Sequence, residues 1–473
     1  MSISRCSRGF GTALLAGALG LVPDPALAED NAATIAALQR QIDELRARVE
    51  ALSTARPAPP PVAVPQAVAA AAPAPQSVPA SVPAVGAARK GKAWYEKLQV
   101  RGYVQMRANE MVSGNGTVPA GAARLRSAHD SGVGEQGTFS LRRTRLVVQG
   151  DVSDRVSVYV QSDLAAAVNG QSNGERREHF AQLRDAYADL HFANRRFKLR
   201  FGQSKVPFGW ENLQSSSNRL PLDRADAANS AVPGERDLGV VAYYTPAGVQ
   251  RVWDELAADG QKLFGNYGAF GLGVFNGQGT NRTEKNNGLM KVAMASWPFR
   301  LDGLGDAFAG QVLELGAQGL LNTVQPEVRS GGVSAVAFRE KRVNLHAVLY
   351  PNPIGFQAEW NWGRGPQWDA AAQAIGNASL HGGYVQAMYR IRQSPVGALM
   401  PYARWQTYRG GWKAATNAPR LVTDEMELGI EWQPLKELEL TVAYAAMNRS
   451  EADERRVGRA EGDLLRAQLQ WNY

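Results

Sequence analysis

The sequence predicts an all-β fold: a transmembrane antiparallel β-barrel of about 16 strands over residues 94–473, preceded by a short coiled-coil helix and a Pro/Ala-rich linker. Alternation of apolar and polar residues recurs in runs of roughly ten, the length of a tilted membrane-spanning strand. Connections between the runs alternate short and long. Mean hydropathy is −0.30 and no internal apolar run approaches the roughly 18 residues of a membrane helix. The last run shows the pattern: Leu465, Ala467, Leu469, Trp471 and Tyr473 form one face, and Arg466, Gln468, Gln470 and Asn472 the other. A strand presents such faces to opposite sides, here lipid outside and water inside.

Residues 1–28 have the three parts of a secretory signal peptide: Arg5 and Arg8, an apolar stretch from Gly9 to Val22, and Ala26-Leu27-Ala28 before the cleavage site. The only cysteine, Cys6, lies in this segment, so the mature chain is expected to carry no disulfide and no cysteine-ligated metal. In residues 29–54, Ile35, Leu38, Ile42, Leu45, Val49 and Leu52 step by three and four, a heptad seam. So short a seam is marginal alone, and tethering to an oligomeric body would zip it. Residues 55–93 hold nine prolines between Pro57 and Pro83; extended as polyproline II they would reach on the order of 100 Å.

From Trp94 onward alternation is clearest at 98–109, 139–152, 155–165, 183–192, 196–205, 380–391, 397–409, 422–433, 437–446 and 464–473. It is weaker at 236–245, 265–275, 288–297, 311–321, 338–350 and 354–363. Long connections are expected at 110–138, 166–182, 206–235, 364–379, 410–421 and 447–463, opposite short turns. Two connections on the turn side, 246–264 and 298–310, are longer than a turn. An even strand count leaves both barrel ends, and the coiled coil, in the periplasm. Trp94, Tyr95, Phe192, Phe197, Trp297, Trp432 and Tyr473 stand near strand ends, where interfacial girdles form.

Six segments carry a family resemblance: Phe139-Ser140-Leu141-Arg142-Arg143-Thr144-Arg145, Asp185-Ala186-Tyr187, the run Phe201 to Gly209, Arg236-Asp237-Leu238-Gly239, Gly273 to Gly277, and Pro401-Tyr402-Ala403-Arg404. In order and spacing across about 94–473 the chain resembles the phosphate-selective porin O and P family. The resemblance implies a homotrimer in the outer membrane, among its lipids, with an arginine- and lysine-rich pore for phosphate or related small anions. It also implies that the loop 206–235 folds inward, which makes Arg219, Arg224 and Lys205 candidates at the constriction.

Alternation assigns Arg101, Arg107, Arg143, Arg145, Lys198, Arg200, Arg390, Arg404 and Arg466 to the lumen, with Arg142 out of phase at a rim. Arginine offers phosphate a planar bidentate fork and lysine a point charge. The same alternation places Asp163, Asp185, Asp189, Glu314, Glu359, Glu425, Glu427, Glu431, Glu437 and Glu439 inside. Cations concentrate in the first five strands and anions in the fourteenth and fifteenth, so a basic wall is expected to face an acidic one. Net charge is +8, but the export signal disfavours nucleic acid as a partner. The histidines (His129, His179, His191, His346 and His381) match no nucleophile motif or metal spacing, and Ser131 to Gly137 lacks the lysine of a nucleotide loop. An enzyme and a cofactor are therefore not expected. A tether to the cell wall through 29–93 is a third class that can coexist with a pore.

Overall fold

The computed structural model describes residues 39, 40, 43, 44, 47, 94–114, 125, 133, 137–166, 180–265, 267–455 and 457–473. The chain divides into two units, Met1–Gly86 and Ala87–Tyr473. The five described residues of the first unit are helical. The signal peptide, the heptad seam and the linker 55–93 lie outside the described residues.

In the second unit the described residues form sixteen strands. They are β1 (Leu98–Gly114), β2 (Thr138–Asp151), β3 (Val156–Ala166), β4 (Phe180–Phe192), β5 (Phe197–Lys205), β6 (Arg236–Tyr244), β7 (Phe270–Phe275) and β8 (Met290–Arg300). The others are β9 (Val312–Val324), β10 (Phe338–Leu349), β11 (Ile354–Asp369), β12 (Ala374–Tyr389), β13 (Ala398–Gly411), β14 (Arg420–Leu435), β15 (Leu438–Ala452) and β16 (Val457–Asn472). Each pairs antiparallel with its chain neighbours, and β1 pairs with β16 from Tyr103↔Asn472 to Gly114↔Gly462. Closure leaves no sheet edge, the condition for strands in a membrane. The seam ends with Gly102 N–H donating to Tyr473 O at 2.8 Å and Tyr473 N–H to Gly102 O at 3.0 Å. The Tyr473 ring crosses Gly102 so closely that a Cβ there would stand 2.6 Å from it.

Outward positions are apolar and exposed, as at Val100, Leu272, Leu428 and Leu465. On the rim that carries the short turns, Phe197, Tyr244, Phe270 and Trp297 form a continuous aromatic belt with ring centroids 6.1 to 6.4 Å apart. This end is the turn rim, and the opposite end the loop rim. Three of the expected long loops are short, because alternation carries the strands onward. Residues 370–373 join β11 to β12, 412–419 join β13 to β14, and 453–456 join β15 to β16. Glu437 sits exposed in the turn between β14 and β15, not in the lumen. Arg142 is the extra residue of a β-bulge, since Gln105 pairs with Arg143 and Met106 with Leu141. The bulge swings it inward, 3.6 Å from Asp223.

The largest departure from a simple pore is inside. The connection 206–235, with short helices α1 (Trp210–Leu213) and α2 (Asp226–Ala231), is buried almost throughout. A second connection, 245–269, carries the helix α3 (Ala247–Ala258) in from the turn rim. It buries Val249, Trp253 and Leu256, one turn apart on a single helix face. Phe208, Trp210, Trp253 and Phe264 from these two segments join Val241, Tyr243, Phe275, Met290, Val292, Met294, Leu320 and Val348 from β6–β10 in one apolar core. The inner face of that arc is therefore dry and packed. The two segments form a plug filling one side of the barrel.

Candidate functional site: a basic cavity beside an internal plug

The acidic half of the wall is consumed in holding the plug. Glu314 on β9 accepts from Trp210 Nε1 at 3.0 Å, Trp253 Nε1 at 2.9 Å, Ser296 Oγ at 2.6 Å and Tyr350 OH at 2.8 Å. Glu359 accepts the Glu211 backbone N–H at 2.9 Å. Lys262, from the second inserted segment, reaches Glu431 at 2.9 Å and Glu439 at 3.5 Å. Burial alone would lower the Lys262 ammonium, but these two carboxylates raise it above its ordinary range. A buried charge needs such partners to be tolerated. Of the expected acidic wall on β14 and β15, Glu431 and Glu439 are thus engaged by the plug, and Glu425 and Glu427 are buried.

Some predicted cations also hold the plug. Arg404 grips Glu211 with two bonds, of 2.7 and 3.1 Å. Burial alone would raise the Glu211 carboxyl, and Arg404 outweighs it and brings the carboxyl below its ordinary range. Arg107 and Arg466 approach Asp223 at 3.1 and 2.7 Å. Arg143 donates to Gln105 at 2.8 Å, and Gln105 in turn to the Ser216 backbone carbonyl at 3.0 Å. Arg390 meets Asp259 at 2.8 Å beyond α3.

Among the described residues a cavity of about 880 Å³ runs beside the plug along β1–β6. Its lining contains seven cations, Lys97, Arg101, Arg145, Lys198, Arg200, Lys205 and Arg236, against three carboxylates, Asp151, Asp185 and Asp189. Four of the nine sequence-predicted pore residues, Arg101, Arg145, Lys198 and Arg200, come together here. Arg145 donates to Asp163 at 3.0 Å and to Ser216 Oγ at 2.9 Å. Arg200 binds Asp189 with bonds of 2.7 and 2.8 Å and lies 3.7 Å above the Tyr187 ring.

At the inner end, five cations converge on one carboxylate. Arg224 is 3.1 Å from Glu235, Arg219 and Arg184 3.6 Å, Lys205 3.8 Å, and Arg236 in direct contact. Burial alone would raise the Glu235 carboxyl, but Lys205, Arg224, Arg236 and Arg219 hold it well below its ordinary range. Burial lowers the Arg224 guanidinium to about 10. The predicted Arg219 and Arg224 therefore stand one layer behind the cavity, while Lys205 and Arg236 line it. Sequence reading missed Lys97, Arg184, Arg236, Glu235 and Lys262 as members of the interior. Only Arg236 carried a signal, its place in the Arg-Asp-Leu-Gly segment. Among the described residues no group of three or more His, Cys, Asp or Glu is placed to hold a metal ion.

A closed antiparallel barrel with an apolar exterior and a charged, partly plugged interior is a pore-forming protein of the porin class. This chain belongs to the phosphate-selective porin O and P family, whose model matches residues 112–473, from within β1 to the end. It is an outer-membrane channel and not an enzyme. No curated protein sequence matches the chain. Among solved structures it is similar to the outer membrane channel DcaP of Acinetobacter baumannii (13% identity, TM-score 0.49, 80% of this chain and 97% of that one). It is also similar to OmpT of Vibrio cholerae in its trimer form (9%, TM-score 0.47, 80% and 99%) and to an anion-selective porin from Comamonas acidovorans (11%, TM-score 0.46, 80% and 99%).

Proposed function

We propose that this porin passes small anions, phosphate foremost, along the basic cavity beside the plug. The observation that carries the reading is the lining: seven cations against three carboxylates in about 880 Å³. Fixed cations replace part of a permeating anion's hydration, and several weak sites in series let it leave again. Arg145 and Arg200 are the residues assigned to contact the solute, with Arg101 and Lys198 toward the mouth; Lys205, whose Nζ donates to the Asn212, Leu213 and Gln214 carbonyls at 2.9, 3.5 and 2.7 Å, adds its charge. Arg107, Arg143 and Arg404 act indirectly by holding the inward loop, and Arg219 and Arg224 by setting the field around Glu235. A general porin is the second reading, favoured by the carboxylates that already neutralise Arg145, Arg200 and Arg236.

The same proposal makes residues 1–28 a cleaved signal peptide and puts the turn rim in the periplasm. Residues 29–54 then form a periplasmic coiled coil on the 55–93 linker, able to zip three barrels together or touch the cell wall. Reversal potential across a KCl gradient in planar bilayers, followed by phosphate titration against the chloride current, tests the pore. Anion selectivity with phosphate block at low concentration is expected. A near-zero or cation-selective potential without block removes the phosphate reading and leaves the general porin.

A further inference from the structure

On the outside of the barrel a groove of about 940 Å³ crosses β5–β11. One rung of the sheet makes its floor. Ala242, Leu272, Ala293, Gly319, Val343 and Trp362 are successive cross-strand partners, all facing outward. The dent exists because Ala293 and Gly319 are small between Leu272 and Val343. A Cβ added at Gly319 would meet nothing within 4 Å.

The next rung toward the loop rim is different. Lys291 pairs with Leu321, Leu321 with Lys341, and Lys341 with Arg364. Three exposed cations thus stand level on the lipid-facing surface, spread over roughly 14 Å at the usual strand spacing. Among the described residues no carboxylate pairs with any of them; Arg364 donates only to the Asn377 carbonyl, at 3.5 Å. Lys291 lies six residues along β8 from Trp297 of the aromatic belt. At about 3.4 Å per residue and about 40° of tilt, that is roughly 16 Å along the membrane normal, in the loop-rim half of an apolar band about 25 Å tall and within snorkelling reach of its edge. Cations on a lipid face are costly unless they reach an anionic headgroup. Three of them exceed the width of one phosphate, which calls for two.

We propose that this face binds one diphosphorylated outer-leaflet glycolipid of the lipid A type, its phosphates on Lys291, Lys341 and Arg364 and an acyl chain on the Ala293–Gly319 floor. Placing that lipid in the outer leaflet rests on the periplasmic turn rim proposed above; the binding chemistry does not. The test is titration of the detergent-solubilised full chain with diphosphorylated lipid A, read as adducts by native mass spectrometry. One tightly held lipid per chain is expected. Affinity should fall at least tenfold in the variant K291Q/K341Q/R364Q and with the same lipid stripped of phosphate, on the scale of surface cations at anionic lipid. Gly319→Leu fills the groove without touching charge and should also weaken the adduct. Heat-resistant migration on gels and unchanged single-channel conductance establish that the variants fold. Equal binding by wild type and the triple variant, or equal binding of the dephosphorylated lipid, overturns the proposal whatever the ion selectivity. Loss of oligomers in the triple variant without a change in lipid binding also overturns it, and makes the face a contact between copies of the chain.

Discussion

Glu235→Gln isolates the electrostatics of the cavity. The substitution removes the one carboxylate shared by Arg184, Lys205, Arg219, Arg224 and Arg236. Lys205 Nζ stands 3.8 Å from Glu235 and also lines the cavity. An anion on the far side of Lys205 then sits roughly 7 Å from the deleted charge, a contact length beyond the ammonium. Coulomb's law gives about 0.6 kcal/mol of relieved repulsion at a dielectric of 80 and about 2.4 kcal/mol at 20. That corresponds to about three- to sixty-fold tighter anion occupancy. Because Glu235 is ionised throughout the ordinary pH range, the effect is present at neutral pH. The assay is phosphate block of chloride current through single channels in low salt, where screening is weakest. The half-blocking phosphate concentration should fall by at least threefold, and the reversal potential should move toward the anion limit. An unchanged or higher half-blocking concentration, with open-channel conductance intact, refutes the placement of a solute next to this cluster.

Lys262→Met strands Glu431 and Glu439 and frees the segment behind α3. Breaking a buried pair on one side costs about 3–5 kcal/mol, so single-channel conductance should rise or flicker while the barrel keeps its heat-resistant fold. Acid and base act at opposite ends of the pH scale. Glu235 is depressed, so its contribution is full above about pH 5 and fades as pH falls through and below the ordinary carboxylate value. Lys262 is raised, so its clamp is full below about pH 10 and loosens only above that. The difference in half-blocking phosphate between wild type and Glu235→Gln should therefore persist above about pH 5 and narrow on strong acidification, when Glu235 takes up its proton. Deleting residues 29–93 should leave conductance and selectivity unchanged in bilayers; a lost pore would place part of the channel in that segment.

Strand positions were legible in the sequence because alternation is a local signal and each face meets a single medium. The clearest runs, β1–β5 and β12–β16, are those whose inner faces are polar. Alternation is weaker at β6–β8, where Val240-Val241-Ala242-Tyr243 is apolar on both faces. That was itself a sign that something packs inside. Likewise the over-long connection 246–264 carried helical spacing in Val249, Trp253 and Leu256, which marks an amphipathic helix needing a partner. The cations of the cavity were half visible: alternation found Arg101, Arg145, Lys198 and Arg200, yet not which arginines the plug engages. Those pairings join residues more than a hundred positions apart, as in Arg107 with Asp223 and Arg404 with Glu211. The sheet closure and the two inserted segments bring them together, and no local pattern encodes either.

The lopsided filling of the barrel also bears on how current flows through it. The open cavity begins at the turn rim with Lys97 and Arg101, while the covered acidic arc offers the bath little charge. Anions accumulate at a basic mouth in proportion to its potential, and that enrichment is lost when they must enter from the other end. On the proposed pore reading such a conduit should rectify: at low ionic strength, anion current driven inward from the turn rim is expected to exceed current of the opposite polarity. If so, a plug fastened to one wall would give a passive hole the directionality of a diode without any moving part.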